Sequence, residues 1–175
     1  MRKILPVNRR VWTILAILIA LIGGGTGARV LTTQTGVCGI GIAADAADAE
    51  RLRRFAEGLP LQYVDAFSNV VSYIHIHGRL PECYLTKREA QRQGWSPGTR
   101  LWNVAPGTAI GGNRFGNREQ RLPRQYNNRY VEADLDYDGR KRGAKRLVFV
   151  EGAPGKWLIW VTVDHYQSFR KVPAP

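Results

Sequence analysis

The residues best suited to chemistry lie in the segment YVEADLDYDGRKRGAKR, residues 130–146. Its first half alternates apolar and polar residues as a β-strand does, and Glu132 lies within that strand. An Asp-Gly pair then predicts a turn, and the basic run that follows contains Arg142 and Arg146. A carboxylate is a competent general base, and a guanidinium group can bind two phosphate oxygens at once. The segment therefore suits acid–base chemistry on a phosphate, but it lacks a proton donor that works near neutral pH.

His165 supplies the missing proton donor. It follows a predicted strand over residues 157–163, so we expect it at the end of that strand or in the next loop. Histidine is the side chain whose ordinary pKa allows proton transfer near neutral pH. Each of these residues alone is ordinary, because acids on strands and arginine clusters in basic proteins usually face solvent. A meander of adjacent strands can, however, bring Glu132, both arginines and His165 to one end of one sheet.

Such a set of side chains suits the cleavage of RNA without a metal ion. The 2′-hydroxyl of the ribose is then the nucleophile, a glutamate is its base and a histidinium is the acid. DNA has no such hydroxyl. A metal site is not predicted, because the two cysteines form no C-x-x-C pair and the three histidines are not grouped with further ligands. No cofactor is expected.

Length and charge agree with a single nucleic-acid-binding domain. The chain has 175 residues, of which 44% are apolar, so it can build one core with some length left over. The formal net charge of +12 and a pI of about 10.3 indicate an anionic partner such as nucleic acid or a membrane surface.

Residues 1–28 have the pattern of a secretory signal. A basic start precedes the apolar run VWTILAILIALI, and small residues follow as far as Ala28, where cleavage is expected. An uncleaved membrane anchor is the alternative, because the apolar stretch can extend to about twenty residues. The domain is expected to be exported in either case: secreted after cleavage, or membrane-anchored without it. Cys38 and Cys83 would then meet an oxidising compartment, and whether they pair stays open.

The remaining pattern places helices first and strands second. Residues 29–60 are expected to form a linker with an extra helix at 45–57, and residues 61–175 a catalytic domain. Helices are predicted at 61–77 and, behind a T-x-x-E capping box, at 87–93, with one helical turn at 101–105. Strands are predicted at 109–115, 129–135, 146–150, 157–163 and 168–172. The order predicts an α+β fold with the N-terminal helices packed on one face of an antiparallel five-stranded sheet.

Five motifs resemble those of the secreted bacterial guanyl-preferring ribonucleases, the barnase-like group of the microbial ribonuclease N1/T1 superfamily. They are LP-x-x-YLTK-x-EAQ-x-x-GW at 80–95, VAPG-x-x-IGG at 104–112, F-x-NRE-x-x-LP at 115–123, EAD at 132–134 and DHYQ-x-F at 164–169. The resemblance covers well over half of the chain in the same order, so it is specific. It implies the microbial ribonuclease fold and an endoribonuclease that cleaves single-stranded RNA after guanosine through a 2′,3′-cyclic phosphate.

The resemblance also implies a role for each site residue. Glu132 would be the general base and His165 the general acid. Arg142, Arg146 and Lys87 would bind the phosphate and stabilise its developing charge. The guanine would be read by the loop at 115–119, with Tyr166 as the aromatic residue beside the active site. The loop residues are Phe115, Gly116, Asn117, Arg118 and Glu119, and Glu119 would accept protons from the guanine edge.

Departures and alternatives accompany this interpretation. Asn113 occupies a position that is usually an aspartate in the family, which would leave Lys87 less neutralised and change the electrostatic environment of Glu132. The expected partners are single-stranded RNA and an acidic protein inhibitor of the barstar type, and the protein is expected to be a monomer. The alternative functions are a non-catalytic, basic RNA-binding relative and a ribonuclease toxin used between cells.

Overall fold

The computed structural model describes residues 46–174. The predicted signal, most of the predicted linker and Cys38 lie outside the described residues. Cys83 is disulfide-bonded. Within residues 46–174, no helix is both long and apolar enough to cross a membrane.

Three helices precede the antiparallel strands, as the sequence predicts: α1 spans Ala46–Glu57, α2 spans Val64–His77 and α3 spans Lys87–Arg92. Helix α2 ends at Gly78, which adopts the left-handed conformation at φ 67° and donates its N–H to Ile74. Helix α3 begins behind the predicted capping box, in which Thr86 and Glu89 each accept a hydrogen bond from the other's backbone N–H. Short 3-10 turns follow at Leu101–Asn103 and Arg124–Tyr126.

The sheet has six strands in chain order: β1 Tyr84–Leu85, β2 Ala109–Arg114, β3 Val131–Asp134, β4 Arg146–Ala153, β5 Lys156–Thr162 and β6 Arg170–Lys171. Strands β2 to β6 form the predicted antiparallel meander. The expected count of five strands omits β1, which pairs parallel to β2. Two residues are too few to show an alternating pattern in the sequence.

Helices α1 and α2 cover one face of the sheet. Leu52 and Ala56 of α1 are fully buried, and Phe55 stacks on Phe67 of α2. These side chains join a core that includes Ala133 and other residues of β3, β4 and β5. Helix α1 is therefore an integral part of the packed structure, and it is not a loose spacer.

The opposite face of the sheet carries the polar residues that the sequence singles out. In the register of β3 and β4, Glu132 pairs with Val148 and Asp134 pairs with Arg146. Side chains alternate along a strand, so these residues point away from Ala133 and the helix-covered core. The loop between β2 and β3 folds over part of this face and closes a second cluster around Tyr130 and Trp160.

Candidate active site

Glu132 lies at the centre of the polar face with two partners. Its Oε1 is 3.4 Å from Nζ of Lys87, the first residue of α3. Its Oε2 accepts a hydrogen bond of 2.7 Å from the hydroxyl of Tyr166. The Glu132 side chain is 11% exposed, so it is largely buried but still in contact with solvent. A carboxylate fixed in this way is well placed to accept a proton.

Asp134 holds both arginines in place. It accepts two hydrogen bonds from Arg142, one from Nε at 2.5 Å and one from Nη2 at 2.7 Å. Nε of Arg146 lies 3.0 Å from the same carboxylate as an ion pair, and Nη1 of Arg146 donates to the carbonyls of Gly143 and Lys145. These contacts immobilise two long side chains, which lowers the entropy lost when a phosphate binds. The importance of Asp134 is not evident from the EAD motif alone.

The burial of these arginines is unequal. The side chain of Arg146 is 6% exposed and that of Asp134 is 3% exposed, whereas Arg142 is 23% exposed. Burial lowers the pKa of Arg142, but the hydrogen bond and negative charge of Asp134, with the charge of Glu132, outweigh it and raise that pKa overall. The Arg142 guanidinium therefore stays charged beside the site.

The loop after β5 presents His165, as the sequence predicts. Asp164 anchors this loop by accepting from the Thr162 hydroxyl and from both the N–H and the hydroxyl of Ser168. The hydrogen bonds from Ser168 lower the pKa of Asp164 to about 2. His165 and Tyr166 have φ of 55° and 72°, a strained conformation for non-glycine residues that the surrounding contacts maintain.

His165, Arg142 and Arg146 line one cleft of about 260 Å³. Trp95 and Lys141 also line this cleft. The cleft joins the histidine to the two cations that Asp134 orients. It is therefore the place at which a phosphodiester could meet both a proton donor and fixed positive charge.

The loop at 115–119 divides into buried and exposed parts. Phe115 is 8% exposed and stacks on Tyr166, with 5.0 Å between ring centroids, so its buried ring anchors the start of the loop. Asn117 is also buried: its side chain donates to the carbonyl of Leu122 and accepts from the Leu122 N–H. The loop residues that remain exposed are Gly116, Arg118 and Glu119.

The basic run after β3 contains fewer free charges than the sequence indicates. The basic letters alone suggest that Arg140, Lys141 and Lys145 are solvated. Arg140, with 73% of its side chain exposed beside Asp138, and Lys141 are solvated, whereas Lys145 donates to the buried carboxylate of Asp136 at 2.6 Å. A run of basic letters cannot show which residues meet carboxylates that lie earlier in the chain.

Comparison with known proteins identifies the family of the chain. The sequence model of the ribonuclease family matches residues 67–173. Ribonucleases of Bacillus intermedius and Bacillus pumilus are each 41% identical to the chain over 114 residues, which cover 64% of this chain and 67% of theirs. A ribonuclease of Heyndrickxia coagulans is 41% identical over 111 residues, which cover 62% of this chain and 97% of its own length.

The chain belongs to the microbial ribonuclease family. All the site residues described above lie within the matched span of this ribonuclease. Helix α1 precedes the span, although it packs tightly against α2, which the span includes in large part. The ribonuclease core therefore carries an N-terminal helix in addition to the part that the family model matches.

Asn113 lies beside Lys87 and Glu132, as expected. Its Oδ1 accepts from the backbone N–H of Lys87 at 3.2 Å, and in the β2–β3 register it is the partner of Glu132. Its Nδ2 is buried without a hydrogen-bond partner. The residue thus supports the start of α3 but adds no negative charge next to Lys87 and Glu132.

Proposed function

We propose that this ribonuclease is a metal-independent endoribonuclease that cleaves single-stranded RNA after guanosine. The observation that carries the proposal is the Glu132 carboxylate between Lys87 and Tyr166, on the same face of the sheet as Arg146. Arg146 lines a cleft together with His165. A base, an acid and a fixed cation are the groups that cleavage assisted by the 2′-hydroxyl requires.

In the first step, Glu132 takes the proton of the 2′-hydroxyl, and the resulting oxygen attacks the adjacent phosphorus. Arg142, Arg146 and Lys87 stabilise the charge that develops on the phosphate oxygens. The bond from phosphorus to the 5′-oxygen breaks, and His165 gives that oxygen a proton. The products are a 2′,3′-cyclic phosphate and a free 5′-hydroxyl.

The second step is hydrolysis of the cyclic phosphate with the roles reversed. His165, now neutral, accepts a proton from the attacking water, and protonated Glu132 returns its proton to the 2′-oxygen. Each residue ends in its starting protonation state, so the cycle needs no metal ion or cofactor.

Base selection is assigned to the exposed part of the loop at 115–119. The Glu119 carboxylate can accept from the N1 and N2 protons of guanine, and the backbone N–H groups of the loop can donate to its O6. The internal hydrogen bonds of Asn117 fix the loop before the base arrives, which reduces the entropy lost on binding. Arg118 lies beside Glu119 with its side chain exposed.

The proposal includes an exported, monomeric protein whose action on its own cell is blocked by an acidic inhibitor of the barstar type. The cluster of Arg142, Arg146 and His165 would attract carboxylates as it attracts a phosphate. The signal at residues 1–28 supports export.

Replacement of His165 by alanine tests the proposed mechanism. A positioned general acid contributes about 10²–10⁴-fold to the rate, so transesterification of guanylyl-3′,5′-adenosine should fall by at least that range. His77→Ala is the matched control, because His77 is exposed on α2 and should leave the rate unchanged. Near-wild-type turnover of the His165 variant would refute its role.

A further inference from the structure

A groove of about 480 Å³ lies away from the catalytic cleft, at the end of the sheet that α2 leaves uncovered. Its lining includes Phe149 of β4 and Trp157 of β5. Helix α2 stops at Gly78, whereas the hairpin of β4 and β5 continues to residues 153 and 156. An aromatic part of the helix-facing surface therefore remains accessible.

Gly78 packs against the Trp157 ring and has no side chain to cover it further. A Cβ at residue 78 would lie 2.9 Å from Cζ2 of Trp157, closer than side chains allow without rearrangement. The Trp157 ring packs against Phe149 on another side, with 5.9 Å between ring centroids. An indole that is supported but partly exposed provides a stacking surface for a planar group.

Two exposed arginines from different parts of the chain border the groove. Arg79 follows α2 and lies over the Tyr73 ring, and its nearest carboxylate, Glu82, is 4.0 Å away and itself exposed. Arg129 precedes β3 and donates to the carbonyl of Glu151. Its guanidinium also lies over the Tyr126 ring, 5.7 Å from the centroid, but no ion pair involves Arg129 within residues 46–174, so no carboxylate there neutralises its charge.

The single carboxylate in the lining does not cancel this charge. Oε1 of Glu151 accepts a hydrogen bond from the N–H of Gly155, within the turn of the β4–β5 hairpin. Among the residues that line the groove, Arg79 and Arg129 exceed it in number, so the lining itself has a net positive charge. Aromatic surface together with guanidinium groups matches the bases and phosphates of a single nucleic-acid strand.

The edge of β2 separates the groove from the active site. Gly112 lines the groove, and the next residue, Asn113, contacts Lys87 and pairs with Glu132. Strand β1 pairs only with Ala109 and Ile110, so this later part of β2 has no neighbour on that side within the described residues. A strand of RNA leaving the active site over this edge would pass exposed Arg114 and reach the groove.

We propose that the groove formed by Arg79, Arg129 and Trp157 is a second binding site for the RNA substrate, distant from the scissile bond. A base stacks on Trp157, and neighbouring phosphates bind Arg79 and Arg129. This inference rests on the proposed function, because the occupant is the substrate strand itself. The groove adds affinity for long RNA and leaves the cleavage of a dinucleotide unaffected.

The test compares two uncleavable ligands: an octamer of 2′-O-methyluridines with one central 2′-deoxyguanosine, and the dinucleotide 2′-deoxyguanylyl-uridine. The octamer should bind the wild-type protein at least tenfold more tightly. The variant R79Q/R129Q should bind the octamer about three- to tenfold more weakly and keep its dinucleotide affinity. The slope of its log association constant against log salt concentration should become less steep by about 0.7 for each phosphate that the variant no longer binds.

The control is R53Q/R54Q, which removes the same charge from exposed positions on α1. It should change octamer affinity by less than twofold. Equal weakening in the two double variants, or equal affinity of both ligands for the wild type, would overturn the proposal. The indole N–H signal of Trp157, assigned by Trp157→Phe, should shift with the octamer and stay in place with the dinucleotide. Cleavage of an ordinary guanosine dinucleotide tests the proposed function separately, because that substrate does not reach the groove.

Discussion

Tyr166 connects Glu132 to the loop at 115–119. Its hydroxyl donates to Oε2 of Glu132 at 2.7 Å, and its ring stacks on Phe115 at the base of that loop. Burial raises the pKa of Tyr166, and the hydrogen bond to Glu132 raises it further, so the phenol stays protonated and remains a donor. The proposed base and the proposed guanine-binding loop therefore share one rigid support.

Tyr166→Phe keeps the ring and removes this donor. A hydrogen bond to a charged group contributes about 1.5–3 kcal/mol, so kcat should fall about ten- to a hundredfold if the contact positions Glu132. KM should change little, because the stack on Phe115 is retained. Steady-state kinetics on a guanosine dinucleotide measures the effect, with Tyr73→Phe on α2 as the control. An unchanged kcat would show that the hydroxyl does not position the base.

Asp134→Asn should damage both stability and activity. Removal of one partner from a buried ion pair typically costs about 3–5 kcal/mol, and Asp134 is the carboxylate that compensates buried Arg146. Urea unfolding measures the decrease in stability. Asp138→Asn is the control, since its partner Arg140 is 73% exposed and such pairs contribute about 0–1 kcal/mol. Equal destabilisation by the two substitutions would contradict this account of the arginine anchor.

Asn113→Asp changes charge and little else. The aspartate still offers an oxygen to the Lys87 N–H but adds a negative charge beside Lys87 and Glu132. A second anion disfavours the ionised base, so the acidic limb of the kcat/KM profile should move to higher pH. Gln91→Glu, with the same charge change at an exposed position of α3, should leave the profile in place. Superimposable profiles for wild type and Asn113→Asp would exclude an electrostatic role for residue 113.

Glu119→Ala tests base selection separately from catalysis. The preference for guanylyl-adenosine over adenylyl-adenosine, expressed as a ratio of kcat/KM values, should fall by at least tenfold. The rate on the adenosine dinucleotide should change much less, because Glu119 lies in the proposed base-binding loop and has no proposed role in proton transfer. If the ratio stays the same, base selection must reside elsewhere in the loop or in the catalytic cleft.

The sequence predicts the elements of the fold well where one local pattern is sufficient. Three patterns each depend only on residues close together in the chain. They are the alternation of apolar and polar residues around Glu132, the Asp-Gly turn after it and the capping box at Thr86. The position of His165 after a strand follows from the same logic. The family motifs then imply which of these residues meet.

The features that the sequence does not predict depend on how strands pair and on where helices end relative to the sheet. The contacts of Asp134 with Arg142 and Arg146 need the pairing of β3 with β4 and the path of the turn between them. The pairing of Lys145 with Asp136 arises in the same way. The groove at Trp157 exists because α2 ends before the sheet does, a difference in length that no motif encodes.

The most direct test of the central claim is incubation of the protein with guanylyl-3′,5′-adenosine in excess EDTA. Chromatography of the products should show guanosine 2′,3′-cyclic phosphate and adenosine first, with guanosine 3′-phosphate accumulating more slowly, at a rate that EDTA does not change. Absence of cleavage in EDTA with recovery on adding a divalent cation, or release of a 5′-phosphate, would contradict the metal-independent mechanism that uses Glu132 and His165.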